Sequence, residues 1–175
     1  AEEVASIVER SQAEGVLEDD LGLLSGAIEF SEETAGEVMV PMSELRTLPL
    51  GCTPADVERE VARTGYSRFP VVDEAADDRP SGAGELIGYL HLKDVIGAAP
   101  AQREQPIPRW RIRPLGGVGP EAEVEDALLS MQRSGAHLAR VAGADGRTLG
   151  VVFLEDILEE LVGEVRDSMQ REAGR

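Results

Sequence analysis

One pattern occurs twice in this chain and limits what the chain can fold into. Gly88-Tyr89-Leu90-His91-Leu92-Lys93-Asp94-Val95-Ile96 and Gly150-Val151-Val152-Phe153-Leu154-Glu155-Asp156-Ile157-Leu158 each read as a short apolar strand running into a helix, with an acidic residue in the helix's first turn. Two copies of one strand-to-helix unit imply an internal repeat.

The rest of the sequence arranges itself around that pair. Before it, Val4, Ile7 and Val8, then Leu21, Leu24 and Ile28, recur at helical spacing, which predicts two short amphipathic helices with acidic outer faces. Thr34 and Glu37 form a capping box for a short helix through Val38. Met39-Val40-Pro41 ends that helix, because the residue before a proline is pushed out of the helical region. The spacing then predicts a strand from Glu44 to Leu48, a helix from Pro54 to Thr64 stopped by Gly65, a strand from Arg68 to Asp73, a polar turn from Ala75 to Gly84 and a strand ending at Leu90. Pro100, Pro106 and Pro108 mark a linker between the halves.

The second half repeats the order. A strand is expected from Ile112 to Leu115, and a helix opening at Pro120 with Val124, Ala127, Leu128 and Met131 on one face, stopped by Gly135. Strands from His137 to Ala142 and from Thr148 to Phe153 are joined by the turn Ala144-Asp145-Gly146, and a last helix carries Leu154, Ile157, Leu158, Leu161, Val162 and Val165 along one side. Gly65–Val72 falls on Gly135–Ala142 at an offset of 70, and Gly84–Ile96 on Gly146–Leu158 at 62; the difference of eight is the longer hairpin loop of the first half. The predicted fold is α+β, divided as 1–33 acidic linker helices, 34–98 first unit, 99–111 linker, 112–167 second unit and 168–175 tail.

Composition removes several functions. The net charge is −17, and residues 1–38 hold eleven acids against Arg10 alone, a field that repels nucleic acid. Cys52 is the only cysteine, which precludes an internal disulfide and suits a reducing compartment. The apolar runs, such as Val151 to Leu154, are far shorter than the roughly 18 residues that cross a bilayer, so no direct membrane insertion is expected. The acidic stretch Glu18-Asp19-Asp20 lacks the spacing of a calcium loop. There is no Gly-Lys-Ser/Thr phosphate loop and no His-Glu-x-x-His, and His137 has no nucleophile partner legible in the sequence. The expectation is a protein that is not an enzyme.

Thr34-Ala35-Gly36-Glu37-Val38-Met39-Val40-Pro41, Gly65-Tyr66-Ser67-Arg68-Phe69-Pro70-Val71-Val72-Asp73 and the two Gly-to-Asp blocks resemble the tandem cystathionine-β-synthase (CBS) domain pair, or Bateman module. More narrowly, Ser67-Arg68-Phe69-Pro70-Val71, the block from Gly88 to Asp94 and the run from Leu154 to Val165 resemble the CorC/cyclin-M family, hemolysin-like membrane proteins associated with magnesium and cobalt transport. The resemblance spans about Glu2 to Asp167. It implies a cytoplasmic regulatory module of a longer protein, whose membrane domain precedes Ala1, and a homodimer formed through the CBS helices, with Leu154–Val165 and Pro120–Met131 as the interface faces.

The resemblance also implies an adenine nucleotide, ATP with Mg²⁺ by preference, in a cleft between the units. In such pairs the Asp of a Gly-x-x-Ser/Thr-x-x-Asp motif holds the ribose hydroxyls, and a first-turn carboxylate can accept two such donors. Asp94 and Asp156 match that position. The hydroxyl residue three positions earlier is replaced by His91 and by Phe153. Arg68 is then the phosphate ligand, since a guanidinium fork suits phosphate oxygens, with Ser67 beside it and Val40, Pro41 and Phe153 as walls near the base. The cleft to expect joins Arg68 of the first unit to Asp156 of the second. The alternative is a structural dimerisation and coupling domain whose nucleotide site has degenerated.

Overall fold

A computed structural model describes residues 32–76 and 84–160. The two helices expected before Thr34, most of the expected first hairpin loop and the part of the expected last helix beyond residue 160 lie outside the described residues.

Helix α1 (Ala35–Val38) begins as the capping box requires: the Glu37 carboxylate accepts the Thr34 N–H at 2.8 Å. Strand β1 (Val40–Pro41) follows, and it does not join its own half. It pairs antiparallel with the last strand of the second half, Val40 opposite Val151 and Pro41 opposite Gly150. Gly150 is required there, because a side chain would collide with the Val40 carbonyl.

The strand expected over 44–48 is displaced to β2 (Leu48–Pro49). Residues 42–44 form a turn in which the Glu44 N–H donates to the Pro41 carbonyl at 2.9 Å, so that backbone is spent before it can pair in a sheet. Pro49, which has no N–H, closes a strand that lies at the sheet edge. Helix α2 (Pro54–Thr64) has the expected limits, with Thr53 and Asp56 exchanging cap hydrogen bonds and Gly65 in the left-handed conformation at φ 74°. Strands β3 (Arg68–Asp73) and β4 (Glu85–His91) form an antiparallel pair, and β2 adds to β3 in parallel.

The first strand-to-helix block yields only one 3-10 turn, Leu92–Asp94, where a helix was expected. Gly97, at φ 92°, and Pro100 follow within a few residues and leave no length for a helix. The second copy meets no such break, and residues 154–160 are helical (α4). The intervening linker is sewn to the first unit: the Ile107 N–H donates to the Cys52 carbonyl at 2.8 Å, and the Ala55 N–H to the Arg103 carbonyl at 3.1 Å. Ile107 and Cys52 are both buried, and burial, followed by the nearby Asp56 charge, pushes the Cys52 thiol up to about 11.

Residues 112–115 are not a strand of the sheet. Arg113 instead exchanges two backbone hydrogen bonds with Tyr89, at 3.0 and 2.9 Å, and β5 (Gly116–Val118) comes later. Helix α3 (Val124–Ser134) starts four residues past Pro120, because the turn that precedes it is engaged elsewhere: the Pro120 and Ala122 carbonyls accept the Gly36 and Ala35 N–H groups of α1. Strands β6 (Leu138–Ala142) and β7 (Thr148–Phe153) form the expected hairpin, with Gly146 at φ 77°.

The result is two sheets, β1-β7-β6-β5 and β2-β3-β4. Each has a core with its own helix, α3 or α2, and a third cluster of Val72, Leu86, Tyr89, Ala136, Leu138 and Val151 joins the halves. Val124, Ala127, Leu128, Met131, Leu154 and Ile157 are buried together within the chain. These residues of the faces expected at a dimer interface are therefore packed within the chain, while Leu161, Val162 and Val165 lie outside the described residues. Among the described residues no helix is long and apolar enough to cross a membrane.

Candidate functional site

A cleft of about 430 Å³ opens between the halves. Three junctions build it. Val40, Glu44, Leu45 and Arg46 come from β1 and the connection to β2; Gly65, Tyr66, Ser67 and Arg68 come from the turn between α2 and β3; Phe153, Glu155 and Asp156 come from the end of β7 and the start of α4. The left-handed Gly65 reverses the chain after α2, and the Ser67 carbonyl accepts the Leu92 N–H at 2.8 Å, which fixes the turn. The start of α4 is seated by the Leu154 N–H on the His137 carbonyl at 2.9 Å.

Arg68 reaches across the cleft and donates through Nη1 to Glu155 Oε1 at 2.6 Å. Its side chain is 21% exposed and that of Glu155 is 51% exposed, so water and any anion can reach the pair. The Asp156 side chain makes no hydrogen bond or ion pair among the described residues. Burial, followed by the Glu159 and Glu155 charges, raises its carboxyl above the ordinary range. Among the described residues both carboxylate oxygens are open acceptors, in the same cleft as the Arg68–Glu155 pair. His137 and His91 are each held below the usual imidazole range, by burial first and then by the Arg68 charge, so neither supplies a cation at neutral pH.

Of the residues singled out in the sequence, the cleft gathers Arg68, Ser67, Val40, Phe153 and Asp156. Pro41 is outside the lining, held in register against Gly150. Asp94 is elsewhere and fully engaged: Arg113 grips it with Nε at 2.9 Å and Nη2 at 2.7 Å, and the His91 N–H donates to it at 2.9 Å. Burial acts to raise its pKa, but the Arg113 and His91 donors overcome this and hold it below the ordinary carboxylate range. Phe153 lines the cleft and also packs against the third core cluster.

The two Asp positions differ because of what crosses each repeat. Gly150 faces the Val40 backbone, and Gly88 faces the Arg113 backbone in the same way. Arg113 thus stands where Val40 stands in the other half, and it closes onto Asp94, while Val40 makes no such contact and Asp156 has no ion pair among the described residues.

The residues missed by sequence reasoning are Glu155, Glu44, Leu45, Arg46 and Tyr66. Glu155 sat inside the repeated block, adjacent to the Asp already selected, and its cross-chain pairing with Arg68 has no local signal. Arg46 fell in a segment expected to be strand. Among the described residues no group of three or more His, Cys, Asp or Glu could hold a metal ion.

Comparison with known proteins agrees with this architecture. The CBS domain profile matches residues 35–101 and 112–163. An uncharacterized protein of Mycobacterium tuberculosis (strain H37Rv), Rv1841c, is 36% identical over 177 residues, covering 97% of this chain and 48% of its own length. The UPF0053 protein MT1890 of the same species (strain CDC 1551) is 32% identical over 167 residues, covering 95% of this chain and 35% of its own. The chain spans about a third to a half of these curated relatives. Among solved structures, the CBS domain of a bacterial CNNM/CorC family Mg²⁺ transporter in complex with ATP aligns with a TM-score of 0.65 at 25% identity, covering 84% of this chain and 98% of that one. A hemolysin-like protein containing a CBS domain, from Oenococcus oeni PSU, aligns with a TM-score of 0.65 at 27% identity, covering 77% and 94%. With both repeats matched and the two-sheet architecture shared, the chain belongs to the CBS domain family as a tandem pair, similar to those of CorC/CNNM and hemolysin-like proteins.

Proposed function

We propose that this CBS pair is a regulatory module that binds an adenine nucleotide, Mg²⁺-bound ATP, in the cleft between its units, and couples that binding to the membrane domain of a longer protein linked to Mg²⁺ or Co²⁺ transport. The observation that carries the reading is the convergence in one cleft of Arg68 and Ser67 from one unit with Asp156 from the other, a carboxylate with no ion pair among the described residues. Asp156 accepts the ribose hydroxyls, Val40 and Phe153 flank the base, and Arg68 and Ser67 take phosphate oxygens. Glu155 must release Arg68 as phosphate arrives, so the ligand replaces an internal ion pair that ties β3 to α4. That exchange gives the nucleotide a differential contact between two states of the module, which any coupling requires. The Mg²⁺ travels on the phosphates. The module works at the cytoplasmic face of the membrane as a homodimer, through surfaces other than the buried faces of α3 and α4.

Titration calorimetry with ATP and Mg²⁺ tests this on the wild type, Arg68→Ala and Asp156→Asn. Each variant is expected to lose roughly tenfold or more in affinity, the scale of a charge-assisted hydrogen bond. Equal affinity in all three removes both residues from the site. The second reading, a structural coupling domain, draws on Phe153 in the hydroxyl position and on the neutralisation of Arg68 by Glu155. A melting temperature indifferent to millimolar adenine nucleotides would favour it, since a ligand bound only by the folded state must raise Tm.

A further inference from the structure

Beyond Val40 the chain carries an arginine that no carboxylate in the described structure neutralises. Arg59 pairs with Asp56 at 3.0 Å, Arg63 with Glu60 at 2.8 Å and Arg68 with Glu155 at 2.6 Å. Arg46 is exposed and, among the described residues, has no ion pair. With Leu45 it lines both the nucleotide cleft and a second hollow of about 450 Å³, whose other wall includes Arg59 and Arg63 on α2. The two hollows therefore adjoin, with Arg46 at their divide.

The charge changes sign along this trough. The cleft sets Glu44, Glu155 and Asp156 against Arg46 and Arg68, while the second hollow sets Arg46, Arg59 and Arg63 against Asp56 and Glu60. A carboxylate-rich end suits hydroxyl donors, and a cationic end suits an anion. Because Arg59 and Arg63 are each tied to an acid one turn away, Arg46 alone offers an uncommitted guanidinium there.

We propose that Arg46 reads the length of the nucleotide's phosphate chain, making the site selective for nucleoside triphosphates over monophosphates. The inference rests on the nucleotide reading above. Arg68 takes the phosphate nearest the ribose, and the distal phosphates continue past Leu45 to Arg46 at the mouth of the second hollow. The test is calorimetric titration of AMP, ADP and ATP at fixed Mg²⁺ into the wild type and Arg46→Ala, with Arg147→Ala, exposed and outside both hollows, as a control for general surface charge. The wild type is expected to bind ATP roughly tenfold or more tightly than AMP, and Arg46→Ala to lose most of that gain while its AMP affinity stays within about threefold. Arg147→Ala should keep the wild-type ratio. An unchanged ATP-to-AMP ratio in Arg46→Ala overturns the proposal, and so does a wild type that binds both equally. Failure of every adenine nucleotide to bind the wild type removes the nucleotide reading itself. Matching melting temperatures for wild type and Arg46→Ala exclude a folding defect as the cause of any loss.

Discussion

Asp94 and Asp156 occupy the same place in the two repeats and have opposite electrostatic fates. Asp94 is clasped by Arg113 and its pKa is depressed; Asp156 faces Glu155 and Glu159, and its pKa is raised by burial and by those charges. The sign of the stability effect follows. A raised folded-state pKa means that the fold disfavours the Asp156 charge, so this residue's contribution to stability falls as pH rises from the ordinary carboxylate range through the raised value. Asp156→Asn is therefore expected to melt higher than the wild type at pH 7, by roughly 1–2 °C after allowing for the solvent that reaches the half-buried carboxyl. The difference should shrink on acidification below the ordinary carboxylate range, and thermal melts across pH check it. In the proposed site the same substitution is expected to weaken nucleotide binding, so stability and ligand affinity should move in opposite directions. That combination separates a functional carboxylate from a structural one.

Among the elements, the two glycine crossings carry the architecture. Gly88 and Gly150 let the chain at Arg113 and at Val40 lie directly over a strand, and any side chain there meets backbone that cannot swing away. Gly150→Ala is expected to cost about 1–3 kcal/mol, the scale of overpacking a fitted core, read as a lowered midpoint in denaturant; Gly117→Ala, where nothing lies within 4 Å, should cost far less. Which elements the sequence made legible follows from how locally each is specified. Helix α2 is framed by Thr53, Pro54 and Gly65, and β3, β6 and β7 have enough residues for an alternating or apolar pattern to register. Strands β1, β2 and β5 have two or three residues each, and their pairing is chosen by segments far away in sequence. The first block's helix was misread for a different reason: its strand and first turn match the second copy, and only Gly97 and Pro100 beyond the repeat cut it short.

At the scale of the whole molecule, the repeat does not describe two self-sufficient halves. The second unit's sheet is edged by β1 from the first unit, α1 hydrogen-bonds to the turn before α3, and the Tyr89 Oη of the first unit accepts the His137 N–H of the second at 3.3 Å. A single cooperative unfolding transition is expected, with calorimetric and van't Hoff enthalpies in agreement. Two separate transitions would contradict this shared-edge architecture. The cleft was legible to the same extent and for the same reason. Arg68 and Asp156 belong to motifs that recur within the chain and could be paired across the repeat, whereas Arg46 and Glu155 acquire their roles only when the connection after β1 and the first turn of α4 come together.

Strand β1 also has a mechanical meaning. Thr34 is bridged to Glu123, and six residues later Val40 both pairs with Val151 and forms a wall of the cleft. The path from the N-terminal side into the domain is therefore a short tether laid along the wall of the cleft. Tension applied upstream of Thr34 would load the α1 contacts and then shear a two-residue strand, and a ligand held in the proposed site between Val40 and Asp156 would stiffen the far end of that tether.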